Sequence, residues 1–379
     1  MQKRLRFGFL IKQFVKFLLQ AAVLPVVYRY SRRRRMDERL VVFADAHSRT
    51  VPRSMESVRE AFIARGYRVA DCFFDTGRDS FAATLKNMFA FMRLYAAARY
   101  VIICNYFLPS ASCEKRGGTK LIQLWHGCGI LKRFGYDTAG DIPKYYLGNP
   151  VKNIDMVSVS APVCVNAYAS AFLLPRKAVM PLGVGRTDKF FSAAYNDACK
   201  VAFNQKFPAA KDKKIAVFAP TFRGDASHPS PTALLPSLDA VRAQLGDAWE
   251  LVVCLHPHCA ERDADCGIAA ERMFAVADVL ITDYSSIIFE YALYEKPLVL
   301  FVPDLAEYTA DRGFYLDLKA LPAAIVTDAT QLAAAIVHED ESFDRNAMRR
   351  FKEQYMSACD GNATERIVNE IENLTSERI

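Results

Sequence analysis

The sequence predicts an α/β fold made of two doubly wound halves. Short apolar runs alternate with helical stretches in two successive series, which is the pattern of parallel sheets covered by helices. Residues 277–301 form one complete unit of this kind, with a strand, a polar turn, a helix and a second strand. The chain of 379 residues, 52% hydrophobic and 24% charged, is long enough for two globular domains.

The two series predict one domain each. The first series indicates strands at 40–46, 67–74, 100–105, 120–125 and 154–160, with helices near 55–65 and 81–98. The second series indicates strands at 215–222, 250–258, 278–284, 297–302 and 323–326, with a helical stretch at 235–245. The join falls near 181–186, so we divide the chain into a basic segment at 1–37 and domains at 38–185 and 186–379. The helical stretch that starts at Phe343 is predicted to pack back across both halves.

The net charge of +7 is concentrated at the amino terminus. Residues 1–35 contain ten Lys or Arg residues and no Asp or Glu, so the rest of the chain carries a small net negative charge. A basic face that could wrap nucleic acid is therefore not expected, and we predict no nucleic-acid partner.

Ten cysteines without a CxxC pair indicate reduced thiols in a cytosolic protein rather than a disulfide scaffold. One cluster, formed by Cys254, His256, His258, Cys259 and Cys266, has residue types that bind zinc. Its alternation also fits a strand that runs into a turn, and no second ligand pair with zinc-finger spacing follows. We favour the strand and predict no metal site.

The amino-terminal segment has the pattern of a helix that lies in a membrane surface. Lys12, Lys16 and Gln20 recur every four residues and form a polar stripe beside apolar residues, and four arginines follow at 32–35. The longest uncharged run, 17–28, contains 12 residues, whereas a spanning helix needs about 20. We predict peripheral attachment to an anionic cytoplasmic membrane face. A membrane-spanning helix with snorkelling lysines and a solvated tail are the alternatives.

The polar turn at 283–286 connects the strand at 279–282 with a helix predicted over 286–295. Such a turn presents unpaired backbone N–H groups and the positive end of the helix dipole, where phosphates bind. Its two serines add hydroxyl donors, and Glu290 further along the helix could accept hydrogen bonds from ribose hydroxyls. Asp and Ser are also ordinary helix caps, so capping alone remains the alternative.

Three further polar residues follow predicted strands, at the positions where open parallel sheets bind ligands. His126 lies beside glycine in the segment 123–127, and its neutral imidazole could accept a proton, although a packed structural histidine is the alternative. Arg223 offers a planar guanidinium for phosphate, although a surface salt bridge is the usual role of an arginine. His256 lies at the exit of its strand, which Pro257 ends.

Taken together, these motifs resemble the CDP-glycerol glycerophosphotransferase family, which includes teichoic acid primases and polymerases. The resemblance covers residues 40–360. It is carried by QLWHG at 123–127 with LKR at 131–133, LGVGRTD at 182–188, APTFR at 219–223, LHP at 255–257, and TDYSS at 282–286 with RGFYLDL at 312–318. Two departures are Cys128-Gly129, where many members have a small hydroxyl residue and proline, and Val184-Gly185-Arg186, which replaces a commoner proline-containing turn.

The resemblance implies a GT-B fold, in which two Rossmann-like domains face a cleft. It implies transfer of polyol phosphate from CDP-glycerol or CDP-ribitol to a hydroxyl of a membrane-borne, lipid-linked acceptor or a growing teichoic-acid or capsule-like polymer, with release of CMP. His126 is then the expected general base, and His256 the group that stabilises the pyrophosphate. The expected substrate-binding residues, among which Thr282 and Asp283 shape the turn, are Lys132, Arg223, Thr282, Asp283, Ser285, Ser286 and Glu290. No cofactor or metal besides the CDP-polyol donor is implied.

Two other functions compete with this one. A nucleotide-sugar glycosyltransferase could use the same fold, so the fold alone does not separate the two enzymes. A catalytically silent membrane adaptor is the alternative outside the enzymes, and the presence of His126, Arg223 and His256 argues against it. We therefore expect a peripheral enzyme at the cytoplasmic face of the membrane, either as a monomer or as a homo-oligomer.

Overall fold

Two parallel sheets, each with buried apolar residues on both faces, organise the chain. The computed structural model describes residues 7–142, 146–221, 223–225, 228–230, 237–255 and 265–376. The described strands are β1 (Asp37–Asp45), β2 (Arg68–Phe73), β3 (Ala98–Ile103), β4 (Lys120–Gln123), β5 (Ile154–Ser158), β6 (Val179–Met180), β7 (Lys214–Phe218), β8 (Arg223–Asp225), β9 (His228–Ser230), β10 (Trp249–Val253), β11 (Val279–Thr282), β12 (Leu298–Phe301) and β13 (Ala324–Val326). The described α-helices are α1 (Phe7–Leu18), α2 (Leu24–Ser31), α3 (Arg53–Ala64), α4 (Phe81–Tyr95), α5 (Val165–Ala171), α6 (Ala193–Lys206), α7 (Leu238–Leu245), α8 (Ala270–Met273), α9 (Ile287–Ala292), α10 (Leu305–Asp311), α11 (Leu332–Ser342), α12 (Arg345–Tyr355) and α13 (Ala363–Ser376).

The order of the strands shows that both sheets are doubly wound. The first sheet has the order β2-β1-β3-β4-β5-β6 and the second has the order β10-β7-β11-β12-β13, and all neighbouring pairs within them are parallel. The chain reverses its direction of winding between β1 and β3 in the first sheet and between β7 and β11 in the second. The prediction of two doubly wound, Rossmann-like domains is therefore confirmed.

Strand β1 shows why these apolar runs form buried parallel strands. Val41 and Phe43 belong to a core on one face of the sheet, and Val42 and Ala44 belong to a core on the other face. All four side chains are fully buried. Alternate residues of a strand point to opposite faces, so a strand covered by helices on both sides must be apolar at every position.

The structure differs from the predicted elements in several places. Helix α9 ends at Ala292 rather than at 295, and Glu295 has a left-handed backbone with φ of 51°. Strand β6 contains only two residues and was not predicted, because so short a run has no periodicity to recognise. Strands β8 and β9 form an antiparallel hairpin in a stretch whose proline, serine and glycine content predicts a loop.

The carboxyl-terminal helices connect the two domains. Helix α12 packs on the second domain, where the rings of Phe351 and Phe289 stack with their centroids 5.3 Å apart. Helix α13 returns to the first domain, and its Val368 packs in a common core with Val58 of α3. The carboxylate of Asp188 accepts hydrogen bonds of 3.0 and 2.7 Å from the first two N–H groups of α13. The proposed boundary at 185/186 thus lies between the two sheets. Helix α13, although it follows the second sheet in the chain, packs on the first domain.

The amino-terminal segment folds onto the first domain. Helices α1 and α2 are joined by a π-helical turn at Leu19–Val23, and Leu24 and Tyr28 of α2 are buried. The Tyr28 ring lies 5.1 Å from that of Tyr95, and its hydroxyl accepts a 2.9 Å hydrogen bond from the N–H of Arg116. The alternative of a solvated tail is therefore wrong for α2. No helix in the described part of the chain is both long enough and apolar enough to cross a membrane.

Candidate active site

The carboxyl-terminal edges of both sheets face one cleft of about 930 Å³. Its walls come from both domains. The first domain contributes Trp125, His126, Gly127 and Lys132, and the second domain contributes Ser285, Ser286 and Glu290. The structure therefore brings together five of the predicted site residues, which lie up to 164 positions apart in the sequence, from His126 to Glu290.

His126 is held at the cleft by the strained residue that precedes it. Trp125 follows β4 with φ of 55°, a left-handed conformation that a tryptophan rarely adopts. Its indole packs against the His126 imidazole, with the ring centroids 4.2 Å apart. The imidazole Nδ1 lies 3.4 Å from the carbonyl oxygen of Cys104, a contact that places the proton of the neutral ring on Nδ1. Nε2 is then the proton-accepting nitrogen.

The environment keeps the His126 imidazole neutral. The ring is exposed to the cleft, but the walls of the two domains surround it and displace bulk water. This desolvation is the largest effect, and the positive charges of Arg186 and Lys132 and the nearby His47 add to it, so that the pKa is lowered from 6.5 to about 4. The carbonyl of Cys104 opposes the shift only in part. At neutral pH the side chain is therefore an unprotonated base.

A chain of hydrogen bonds connects the end of β1 with the backbone of Trp125, the residue that precedes His126. Asp45, at the end of β1, accepts a 2.7 Å hydrogen bond from the side-chain amide nitrogen of Asn105. The backbone carbonyl of Asn105 accepts a 3.1 Å hydrogen bond from the Gln123 side chain, whose oxygen accepts the Trp125 N–H at 2.8 Å. Burial alone would raise the pKa of Asp45, but hydrogen bonds from His47 and Asn105 lower it below its ordinary value.

This supporting chain was not identified from the sequence. Asp45, Asn105 and Gln123 each lie at the end of an apolar run that we had predicted as a strand. Their position at strand ends was the available signal, since polar side chains there meet at the same edge of a parallel sheet. Nothing in the sequence showed that they would be bonded to one another.

Thr282 and Asp283 build the turn after β11 and do not line the cleft. The Thr282 side chain is fully buried and donates a 2.7 Å hydrogen bond to the carbonyl of Ala219. The buried carboxylate of Asp283 accepts two hydrogen bonds of 2.9 Å from Thr221, one from its N–H and one from its hydroxyl. Both residues hold the turn against the loop that follows β7, so direct contact with a substrate does not fit their positions.

Ser285 and Ser286 do line the cleft. Ser286 immediately precedes α9, yet its side chain caps none of the helix N–H groups, whereas the Ser285 hydroxyl accepts a 3.4 Å hydrogen bond from Ile287. A Cβ atom placed on Gly127 would lie 3.9 Å from the Ser286 Oγ, so the serine turn and the His126 loop face each other across the cleft. Capping alone therefore does not account for Ser286.

Glu290 forms a buried ion pair with Arg186, whose side chain also contacts the first domain. Its carboxylate lies 2.9 Å from the Nε of Arg186, and both side chains are less than one-tenth exposed. The other guanidinium nitrogens of Arg186 reach the Ser54 hydroxyl at 3.0 Å and the Cys128 sulfur at 3.4 Å. Arg186 was not predicted as a site residue, because its segment was recognised only as a family motif with an unusual turn and no role was assigned to the arginine. A role of Glu290 toward ribose stays a prediction.

Lys132 lies where the two domains meet beside the cleft. The Arg133 N–H donates to the carbonyl of Gly313 at 3.2 Å, and the Tyr315 N–H donates to the carbonyl of Leu131 at 3.0 Å. These bonds pair the segment 131–133 with the segment 313–315 of the other domain. The ammonium group of Lys132 lies 5.9 Å from the centre of the Tyr308 ring.

Two predicted residues cannot be placed in the same detail. Arg223 begins β8, and its side chain is outside the described part of the structure. His256 lies in the segment 256–264, outside the described residues, as do His258 and Cys259 of the cluster considered for zinc. The sulfurs of Cys254 and Cys266 lie 3.2 Å apart. Among the described residues, no group of three or more His, Cys, Asp or Glu side chains is arranged to hold a metal ion.

Comparisons with known proteins agree on one family. The sequence model of the family described as CDP-Glycerol:Poly(glycerophosphate) glycerophosphotransferase matches residues 26–373. A teichoic acid ribitol-phosphate primase of Bacillus spizizenii is 34% identical over 320 residues, which are 80% of this chain and 82% of that protein. A teichoic acid poly(ribitol-phosphate) polymerase of the same species is 30% identical, over 87% of this chain and 56% of that protein. The structure of the wall teichoic acid polymerase TagF superposes with a TM-score of 0.71 and 20% identity, covering 97% of this chain and 98% of that chain, which shows a shared fold.

We predict that His126 titrates far below an ordinary histidine. A titration of ¹⁵N-labelled protein followed by NMR, with the His126 signal assigned by its loss in His126→Gln, should give a pKa of about 4. Lys132→Met should raise that pKa slightly, because it removes a neighbouring positive charge but leaves the desolvation, which is the largest cause of the shift, in place. The matched control is Lys177→Met, at an exposed surface lysine that does not line the cleft. A wild-type pKa near 6.5 that is the same in all three proteins would contradict the described environment.

Proposed function

Because the chain belongs to the CDP-glycerol:poly(glycerophosphate) glycerophosphotransferase family, we propose that it transfers a polyol phosphate from a CDP-polyol to a hydroxyl of a lipid-linked acceptor or a growing polymer. The observation that carries this proposal is the meeting of two motifs across one cleft. A neutral histidine on the first domain faces a serine turn at the end of a parallel strand on the second domain. A proton acceptor and a phosphate site thus face each other.

His126 acts as the general base in this proposal. The acceptor hydroxyl gives its proton to Nε2, while Nδ1 keeps its proton against the carbonyl of Cys104. The acceptor oxygen forms a bond to the phosphorus that carries the polyol, and the bond from that phosphorus to CMP breaks. An anionic donor beside the imidazole raises the pKa of His126 from its value in the empty cleft. Binding of the donor therefore makes the base stronger at the time when it is needed.

The serine turn holds the donor phosphates in this proposal. Ser285 and Ser286 present hydroxyl groups to the cleft, and Asp283 fixes the turn through Thr221. Arg223 and His256, which follow β7 and β10 in the sequence, are proposed to add positive charge. Charged side chains and hydroxyls thus meet the donor, and the proposal requires no cofactor or metal besides it. Glycerol and ribitol are both proposed as the polyol.

His126→Gln should lower the rate of CMP release from CDP-glycerol or CDP-ribitol by about 100- to 10,000-fold, because the acceptor hydroxyl loses its base. Its thermal stability should stay close to that of the wild type, since the ring is exposed to the cleft. His338→Gln, at an exposed position of α11, is the matched control and should keep full activity. CMP release is measured with a lipid-linked disaccharide and, in parallel, with a glycerol phosphate oligomer as acceptor.

Two results of that assay would count against the proposal. Full activity of a folded His126→Gln protein would refute the assignment of the base. Binding and turnover of UDP- or GDP-sugars in place of both CDP-polyols would instead identify a nucleotide-sugar glycosyltransferase.

Ser286→Ala should weaken donor binding without destabilising the fold. Loss of one hydroxyl from a phosphate site should raise the KM for the CDP-polyol about tenfold. The control is Ser237→Ala, because the Ser237 hydroxyl caps α7 through the N–H of Ala240. That change should lower the free energy of unfolding by about 1 kcal/mol and leave the KM unchanged. Destabilisation by Ser286→Ala with an unchanged KM would show that the turn serves only as a cap.

The amino-terminal helix is proposed to attach the enzyme to the cytoplasmic face of a membrane. Two residues of its polar stripe face the protein rather than water, because Gln20 is buried and the Lys16 ammonium lies 3.5 Å from the centre of the Tyr146 ring. The exposed positions are instead apolar, namely Phe14, Phe17 and Leu18. An apolar face turned to solvent beside four exposed arginines at 32–35 suits an anionic lipid surface.

Replacing Phe14, Phe17 and Leu18 together by serine should abolish cosedimentation with vesicles that contain an anionic lipid. The fold should persist, since these side chains are exposed. A control with serine at Phe81 and Ile63, which are equally apolar and exposed in the first domain, should still bind. Undiminished vesicle binding of the triple variant would refute this attachment, and deletion of residues 1–35 is less suitable because it also removes buried residues of α2.

A further inference from the structure

We propose that Arg133 and Arg312 form a subsite for a phosphate of the acceptor, on the His126 side of the cleft. This inference rests on the proposed function and adds the substrate class. The attacking hydroxyl would belong to a unit that already carries a phosphodiester, rather than to an uncharged sugar.

The two arginines come from different domains and are brought together by the backbone pairing beside the cleft. Arg133 donates its N–H to the carbonyl of Gly313, the residue next to Arg312. The Arg133 side chain then lies over Gly313, where an added Cβ would be 3.4 Å from its Cδ, and its Nε reaches the carbonyl of Phe314 at 3.4 Å. The position of one arginine therefore depends on the segment that carries the other.

Arg312 is held so that part of its guanidinium group is left for a ligand. Its Nη2 lies 2.7 Å from the Asp141 carboxylate, whose other oxygen accepts the N–H of Gly135 at 3.2 Å. The Arg312 side chain is 37% exposed and lines the cleft, so an anion in the cleft can reach its guanidinium group.

The charge at this end of the cleft is positive. Lys132, Arg133 and Arg312 line the cleft here together with one carboxylate, that of Asp141. Asp137 is also close, but its oxygens accept hydrogen bonds from the hydroxyls of Ser170 and Tyr315, and it does not line the cleft. A phosphodiester would balance the excess positive charge, and a guanidinium group matches its paired oxygens.

Aromatic contacts place this subsite next to the base. Phe134, which follows Arg133, stacks on Trp125 with 5.3 Å between the ring centroids, and Trp125 in turn packs on His126. The Lys132 charge is close enough to His126 to help lower its pKa. The donor phosphates are proposed to bind at the serine turn on the second domain, so we assign an anion bound beside Phe134 to the acceptor.

Direct binding of an acceptor mimic tests the subsite without the reaction. The probe is a short glycerol phosphate oligomer with a free terminal hydroxyl. The control ligand is the uncharged methylphosphonate oligomer of the same length. Wild-type protein without donor should bind the charged oligomer at least tenfold more tightly. Arg133→Gln and Arg312→Gln should each weaken that binding about 10- to 100-fold, because each removes a charge-assisted contact. The matched control Arg349→Gln, at a surface arginine paired with Glu295 outside the cleft, should bind as the wild type does.

The variants also separate this inference from the proposed function. In the transfer assay they should raise the KM for the oligomer and leave the KM for the CDP-polyol unchanged. Equal binding of the charged and uncharged oligomers, or unchanged binding in a folded Arg133→Gln protein, would overturn the subsite even if CMP is released. Arginine-dependent binding of the charged oligomer would support the subsite even if no CDP-polyol is turned over. Arg133 is exposed, so its variant stays informative if Arg312→Gln does not fold.

Discussion

The common direction of the strands in each sheet is the constraint on which the cleft depends. Parallel strands end at one edge, so the residues that follow them are collected there whatever their distance in the sequence. Asp45 at the end of β1, His126 after β4 and the turn at 283–286 after β11 all reach the cleft region in this way. Because two such edges face each other, His126 and the serine turn lie on opposite walls of one cleft.

The relative position of the two walls depends on contacts that cross between the domains. Arg186 pairs with Glu290 in the second domain and also reaches Ser54 and Cys128 of the first domain. The segments 131–133 and 313–315 pair beside the cleft, and α13 returns to the first domain. Removing one partner of a buried ion pair costs about 3–5 kcal/mol, because the other charge is left without compensation. Glu290 is therefore a structural residue of the interface as well as part of the cleft wall.

Buried polar residues hold the loops that carry the exposed polar residues of the cleft. The His126 loop is held by a chain of hydrogen bonds that starts at Asp45 and ends at the strained backbone of Trp125. The serine turn is held by the buried residues Thr282 and Asp283. In both places an exposed side chain lies on a loop whose backbone is hydrogen-bonded to buried side chains, so the loop geometry is fixed before any ligand binds.

The sequence by itself determined the fold class, the family and the loops that carry the chemistry, because apolar periodicity and motif order are properties of neighbouring residues. His126, Ser285, Ser286 and Lys132 were all predicted at positions where the structure has the cleft. Only the tertiary structure decided that Thr282 and Asp283 are buried, that Arg186 pairs with Glu290, and that Arg133 and Arg312 line the same cleft. It also decided that Lys16 and Gln20 of the predicted polar stripe face the protein. The physical reason is that burial and pairing depend on residues far apart in the chain, whose spacing leaves no local pattern.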